Sequence, residues 1–267
     1  MTYKRDQDTT DKAFIKKIIS HYKKLGRHDL IWRKSITAYK ILVSEIMLQQ
    51  TQVSRVLPKF MLWMKRYPNL EALANATLKD VLILWQGLGY QRRAKALIAI
   101  AKKTNKLPRT YDELLLLPGI GPYTASALMA FAYDAWSKPV LETNIRTALI
   151  DEFHIGETDI HDGVLYDDLA RLENMKDVKK LGARHFYYAL MDYGAYLKTI
   201  KVSHNKKSKH HVKQSPYEGS FRKLRAHVLF AITNEEELPA DERLEEALAQ
   251  LMKEGFIEKR GKRYAIP

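Results

Sequence analysis

Apolar residues recur three and four positions apart along this 267-residue chain to about residue 200, and alternating runs of β-branched residues are missing from that stretch. The pattern predicts one amphipathic helix after another. Breakers cut it at Tyr67-Pro68-Asn69, Gln86-Gly87-Leu88-Gly89, Leu107-Pro108, Leu117-Pro118-Gly119-Ile120-Gly121-Pro122 and Lys138-Pro139. Short helices with short loops read as a compact α-helical domain over 1–200. From Lys198 the character changes. Lys198, Lys201, Lys206, Lys207, Lys209 and Lys213 alternate with polar residues and with His204, His210 and His211, and 201–216 reads as a solvated basic linker that brushes phosphates. The histidines lack Cys or carboxylate partners nearby, so no metal site is expected of them. Beyond it, helix patterns over 220–232 and 241–253 precede two short strand patterns flanking Gly261-Lys262. Helices followed by a hairpin predict a small winged-helix-like domain over 217–267.

Charge adds a partner class. Lys and Arg outnumber Asp and Glu by 45 to 31, a net charge of +14, which favours polyanions such as nucleic acid or an acidic membrane surface. Apolar residues make up 46% of the chain, as in a globular protein. There is no cysteine, which removes disulfides, thiolate zinc sites and ordinary iron–sulfur clusters. The N-terminal residues are polar, without a signal-type apolar region, and no apolar run approaches the ~18 residues that span a bilayer. A cytoplasmic protein is expected, nucleoid-associated if prokaryotic, and a monomer without membrane attachment.

Three segments carry candidate chemistry. In Lys40-Ile41-Leu42-Val43-Ser44-Glu45-Ile46-Met47-Leu48-Gln49-Gln50-Thr51, a helix sets Glu45 on one stripe with Ile41, Leu42, Leu48 and Gln49. Desolvation would raise the pKa of such a carboxyl and hold it protonated, which suits a general acid; the alternative is a buried ion pair, with Arg33 a candidate partner. In Leu117-Pro118-Gly119-Ile120-Gly121-Pro122-Tyr123-Thr124-Ala125, a Gly-x-Gly hairpin joins two helices, and Pro122 opens the second. Its glycines would admit a ligand to the backbone, and the helix start would offer N–H groups to a phosphate. In Leu141-Glu142-Thr143-Asn144-Ile145-Arg146 a carboxylate begins a helix. Glu142 would either complement the helix dipole or serve as a second, ionised carboxylate for cleavage through an oxocarbenium-like state. Position alone does not choose between these.

These segments, in this order, resemble the helix-hairpin-helix DNA glycosylase superfamily, most closely adenine DNA glycosylases of the MutY type. The similarity runs from Ile31-Trp32-Arg33 to Met191-Asp192-Tyr193-Gly194-Ala195 and includes Leu84-Trp85-Gln86-Gly87-Leu88-Gly89-Tyr90. The resemblance implies a two-lobed, all-helical glycosylase domain acting on duplex DNA that holds an adenine mispaired with 8-oxoguanine or guanine. It implies that Glu45 protonates the everted adenine, that Glu142 stabilises the sugar cation, and that Asn144 positions the sugar–phosphate. Gln50 and Tyr90 would fill the vacated stack, and Arg33, Gln49, Thr51, Gly119, Gly121 and Thr124 would also contact DNA. Tyr123 stands where bifunctional relatives carry a lysine, so water is the implied nucleophile and strand cleavage is weak or absent. Three departures stand out. Glu142 replaces the usual Asp; the cysteines of a [4Fe–4S] cluster are missing after Ala195, so no cofactor is expected; and about 50 residues of winged-helix pattern stand where the family places its 8-oxoguanine-reading domain. Two rival readings remain. One is an enzyme excising thymine or uracil from mispairs, whose members tend to carry arginines where this chain has Gln49-Gln50. The other is a non-catalytic DNA-binding module.

Overall fold

The computed structural model describes residues 6–202, 204–209 and 216–267; the N-terminal reading over Met1–Arg5 and the expected roles of His210, His211 and Lys213 lie outside the described residues. In chain order the helices are α1 Gln7–Leu25, α2 Ile31–Lys34, α3 Ala38–Leu48, α4 Val53–Arg66, α5 Leu70–Ala74, α6 Leu78–Trp85, α7 Arg92–Lys103 and α8 Tyr111–Leu115. They continue as α9 Pro122–Tyr133, α10 Thr143–Phe153, α11 Asp162–Glu173, α12 Lys176–Leu181, α13 Ala183–Thr199, α14 Phe221–Asn234 and α15 Leu244–Lys253, followed by strands β1 Glu258–Arg260 and β2 Arg263–Ala265. The mainly α expectation holds. None of the helices among the described residues is long and apolar enough to cross a membrane.

The chain forms two compact units. The first comprises Met1–Ile41, Arg109–Leu115 and Ile120–Val212. Its hub is α13, against which α1, α9, α10 and α12 pack. Phe14 of α1 meets Phe153 of α10 edge to face at 5.2 Å, and Phe131 of α9 stacks on Tyr188 of α13 at 4.8 Å, geometries that add to plain area burial. The segment read as a basic linker is partly built into this unit. Ile160 and Ser208 form a parallel bridge, the Ile160 N–H donates to the Lys207 carbonyl (2.8 Å), and His204 pairs with Asp151 (2.9 Å). Backbone pairing that composition does not report holds 204–209 in place.

The second unit comprises Leu42–Pro108, Leu116–Gly119 and Lys213–Pro267. In it α5 and α6 pack on α7, α4 packs on α6, and the buried Trp63 and Trp85 meet edge to face at 5.6 Å. Asn69 and Thr77 cap α5 and α6 by accepting from Ala72 N and Asp80 N. The C-terminal helices and hairpin fall where periodicity puts them, with Gly261 at φ 63° opening a two-residue turn between the antiparallel strands. Their core does not stand apart: Leu224, Val228, Leu248, Leu251 and Phe256 close around Leu82, with Leu78 packed against them. The C-terminal segment therefore shares a core with α6, whereas the sequence sets 217–267 off as a separate domain.

Candidate active site

Helix α3 is buried around its whole circumference from Ile41 to Met47, not along one stripe. Glu45 is 7% exposed and its neighbour Ser44 is fully buried. Removing a carboxyl from water disfavours its charged form, an effect that a general acid would use. Arg33, the candidate ion-pair partner named above, is engaged by Asp192. Its guanidinium grips Asp192 at both ends (Nη1 to Oδ2 2.7 Å, Nη2 to Oδ1 3.1 Å) and lies 3.9 Å over the Tyr188 ring. The Arg33 side chain is 5% exposed. Arg27 completes the cluster, its Nε 2.6 Å from Asp192 Oδ1. Burial pushes the Asp192 carboxyl up, but the hydrogen bonds and charges of Arg33 and Arg27 outweigh it and hold it below the ordinary value.

Past α3 the backbone makes an unusual turn. Gln50 has φ 55° and Tyr90, in the later loop, has φ 49°. Both conformations are rare for non-glycine residues and cost on the order of 1–3 kcal/mol each. One residue absent from the sequence reading holds both turns. Arg93 of α7, 9% exposed, donates from Nη1 to the carbonyls of Ile46 (2.8 Å), Met47 (3.0 Å) and Gln49, and from Nη2 to those of Leu88 (2.8 Å) and Gly89 (3.0 Å) and to Thr51 Oγ1 (3.2 Å). It satisfies carbonyls orphaned at the end of α3 and in the Leu88–Gly89 loop. Burial lowers its pKa to about 10, leaving it charged at neutral pH. Thr51 also donates to the Leu88 carbonyl (3.1 Å), and Trp85 Nε1 to that of Gly89 (2.9 Å). Gln49, Gln50, Thr51 and Tyr90 are thus gathered on one scaffold.

In the hairpin the two glycines do different work. Gly119 has φ 76°, and a Cβ there would sit 2.6 Å from that of Ala96. Gly121 has an ordinary φ of −95° and open space where a Cβ would stand. It caps α9 without a side chain, and Pro122 follows at the first turn. Tyr123 is half-buried and Thr124 is 3% exposed. The Thr124 side chain is enclosed.

Glu142 is the N-cap of α10. Its Oε1 accepts from Asn144 N (2.9 Å) and Ile145 N (3.0 Å), and its Oε2 from Asn144 Nδ2 (3.1 Å). Capping fixes the carboxylate and does not consume it: an anion held at a helix start can still face a developing cation. Two residues of α13 complete this corner, neither assigned a role by sequence. Lys198 Nζ donates to Asn144 Oδ1 at 2.6 Å. Burial lowers the Lys198 pKa, and the Glu142 charge opposes that. Gly194 lies so close to α10 that a Cβ would fall 1.9 Å from the Asn144 carbonyl oxygen. The only sequence signal for either was the run Met191–Ala195 and the lysine just beyond it. An iron–sulfur cluster does not fit this stretch, because a chain without cysteine supplies no thiolate.

Residues 43–214 match the HhH-GPD superfamily of base excision DNA repair proteins. An adenine DNA glycosylase of Mycolicibacterium smegmatis is 47% identical over 135 residues, covering 48% of this chain and 46% of that protein. The adenine DNA glycosylase of Buchnera aphidicola subsp. Baizongia pistaciae is 35% identical over 194 residues, 70% of this chain and 54% of its own length. The chain thus spans about half the length of the curated relatives it matches. Among solved structures, a thermostable thymine-DNA glycosylase superposes with a TM-score of 0.60 at 21% identity, covering 75% of this chain and 93% of its own. A non-covalent endonuclease III–DNA complex gives 0.57 at 14%, covering 72% and 87%. At those identities the likeness shows the fold. Taken with the hairpin, the buried Glu45 and the capped Glu142, the match over 43–214 shows that this chain belongs to the HhH-GPD superfamily of base excision DNA repair proteins.

Proposed function

We propose that the chain is an adenine DNA glycosylase of base excision repair, everting an adenine mispaired with 8-oxoguanine or guanine and hydrolysing its bond to the sugar. The enclosed carboxyl of Glu45 carries the reading: in a family whose relatives bear this name, it is the acid the reaction needs. Glu45 gives its proton to the everted base, the C1′–base bond breaks, and the electron pair leaves with adenine. Glu142, fixed in place by the α10 amides, stabilises the sugar cation, and Asn144 orients the sugar–phosphate beside it. Water adds to C1′ and its proton returns to Glu45. Tyr123 supplies no amine, so the enzyme is monofunctional. Gln50 and Tyr90 occupy the vacated stack, Gln49 and Thr51 support them, and backbone amides around Gly119 and Gly121 hold a phosphate. The enzyme works as a cytoplasmic monomer without a cofactor, and its C-terminal helices and hairpin act as a winged-helix-like module.

Single-turnover assays on duplexes carrying A, T or U opposite G or 8-oxoguanine test this. Adenine release is expected, reduced at least roughly a hundred-fold in Glu45→Gln with duplex binding retained. Release of thymine or uracil instead would transfer the chain to the pyrimidine-mispair enzymes. An undiminished rate in the variant would remove Glu45 as the acid.

A further inference from the structure

Gln50 and Tyr90 open onto a groove of about 930 Å³ whose second wall is α14 with Tyr217 ahead of it. Both walls belong to one compact unit. Arg55, Lys59, Arg222 and Lys223 line it, and none of its described lining residues is acidic. Lys223 is ion-paired with the exposed Glu218, whereas burial alone lowers the Lys59 ammonium, a cost that an anion alongside would offset. Arg222 bridges the walls. Its guanidinium carbon lies 5.6 Å from the Tyr90 ring centre and 5.4 Å from that of Tyr217, and its Nη1 donates to the Tyr90 hydroxyl at 3.0 Å. Tyr217 and Phe230 expose much of their rings. Cations interleaved with open aromatic faces suit one polymer above others, a nucleic-acid strand, whose phosphates meet the charges and whose bases stack on the rings.

We infer that α14 and Tyr217 form a base-reading wall: the groove takes the DNA strand opposite the excised adenine, its unpaired base lying against Tyr90, Tyr217 and Arg222. This rests on the adenine-excision reading, in which eversion leaves one base without a partner beside Gln50 and Tyr90. Arg55 and Lys59 take the flanking phosphates. The planar fork of Arg222 suits the acceptor edge of a guanine-type base.

The test is fluorescence anisotropy of the full chain with labelled duplexes that place 8-oxoguanine, guanine, thymine or an abasic site opposite the adenine. Wild type should bind a duplex with a guanine-type base more tightly than one with the abasic site. Arg222→Ala should lose that preference by roughly ten-fold, the worth of one stacked base. Tyr217→Ala, at an exposed position outside any helix, should lower it in the same direction without depending on the Tyr90 hydrogen bond. Wild-type discrimination retained in both variants would overturn the inference, as would an equal loss on every duplex, which marks phosphate contact without base reading. If wild type discriminates opposite bases through these residues yet releases no adenine, the groove stands and the proposed activity falls.

Discussion

Lys198 and Asp192, both on α13, act on charge in opposite ways. An ammonium only donates, so Lys198 fixes the Asn144 amide with its oxygen toward the lysine, and the NH₂ group then faces Glu142. Lys198→Met should slow base release roughly ten- to hundred-fold, the loss of one hydrogen bond from a charged group, while leaving duplex affinity nearly unchanged. Lys198→Arg should restore part of the rate, which simple loss of packing would not allow. Asp192 instead holds two arginines. Asp192→Asn should cost about 3–5 kcal/mol in denaturant unfolding, because it leaves buried guanidinium charge uncompensated. The carboxyl's folded pKa lies below its unfolded one, so its contribution is complete above the unfolded value and fades as pH falls through the folded one. Wild type should therefore lose stability below about pH 4 along a slope that the Asn variant lacks.

At the scale of elements, two contacts decide where the site residues stand. Arg93 joins the end of α3 to the Leu88–Gly89 loop, and no shorter cation reaches both sets of carbonyls. Arg93→Lys should destabilise the fold by about 3–5 kcal/mol and raise amide exchange at both turns, measured by hydrogen exchange with mass spectrometry. Gly194 lets α10 and α13 approach at the Asn144 carbonyl. Gly194→Ala must part the two helices, at about 1–3 kcal/mol, and should lower activity beyond that cost because the Glu142 cap moves with α10. Both elements were half legible. The Ser44–Thr51 and Leu84–Tyr90 runs announced themselves as motifs, but a motif does not say which distant side chain satisfies its carbonyls. Arg93 and Gly194 are ordinary residues on helical faces until the fold sets a partner against them.

For the whole molecule, charge and the native histidine pairs set the response to solution conditions. A net charge of +14 predicts that duplex affinity weakens at least roughly ten-fold between about 50 and about 200 mM salt, read from anisotropy titrations. His154 pulls the other way in pH from Asp192. Burial lowers its pKa, but hydrogen bonds to Asp168 (2.7 Å) and Glu157 (3.0 Å) win and raise it. Its contribution is full below the unfolded value near pH 6.5 and is lost as pH rises through the folded one. Thermal midpoints should fall across that window, and His154→Gln should flatten the decline.

The linear order of residues determined what is local: helices from a 3.6-residue period, breaks at Pro and Gly, a hairpin around Gly261, and the motif runs that hold Glu45, the Gly119–Gly121 turn and Glu142. Tertiary structure alone decided what depends on residues far apart in the chain. It turned Arg33 inward to Asp192, bound the turns after α3 and at Leu88–Gly89 to one arginine, set Lys198 against Asn144 in the Glu142 corner, and closed the C-terminal core around Leu82. The reason is physical. Periodicity records which face of an element avoids water, whereas the pairing of buried charges and the approach of backbones are settled only when separate faces meet.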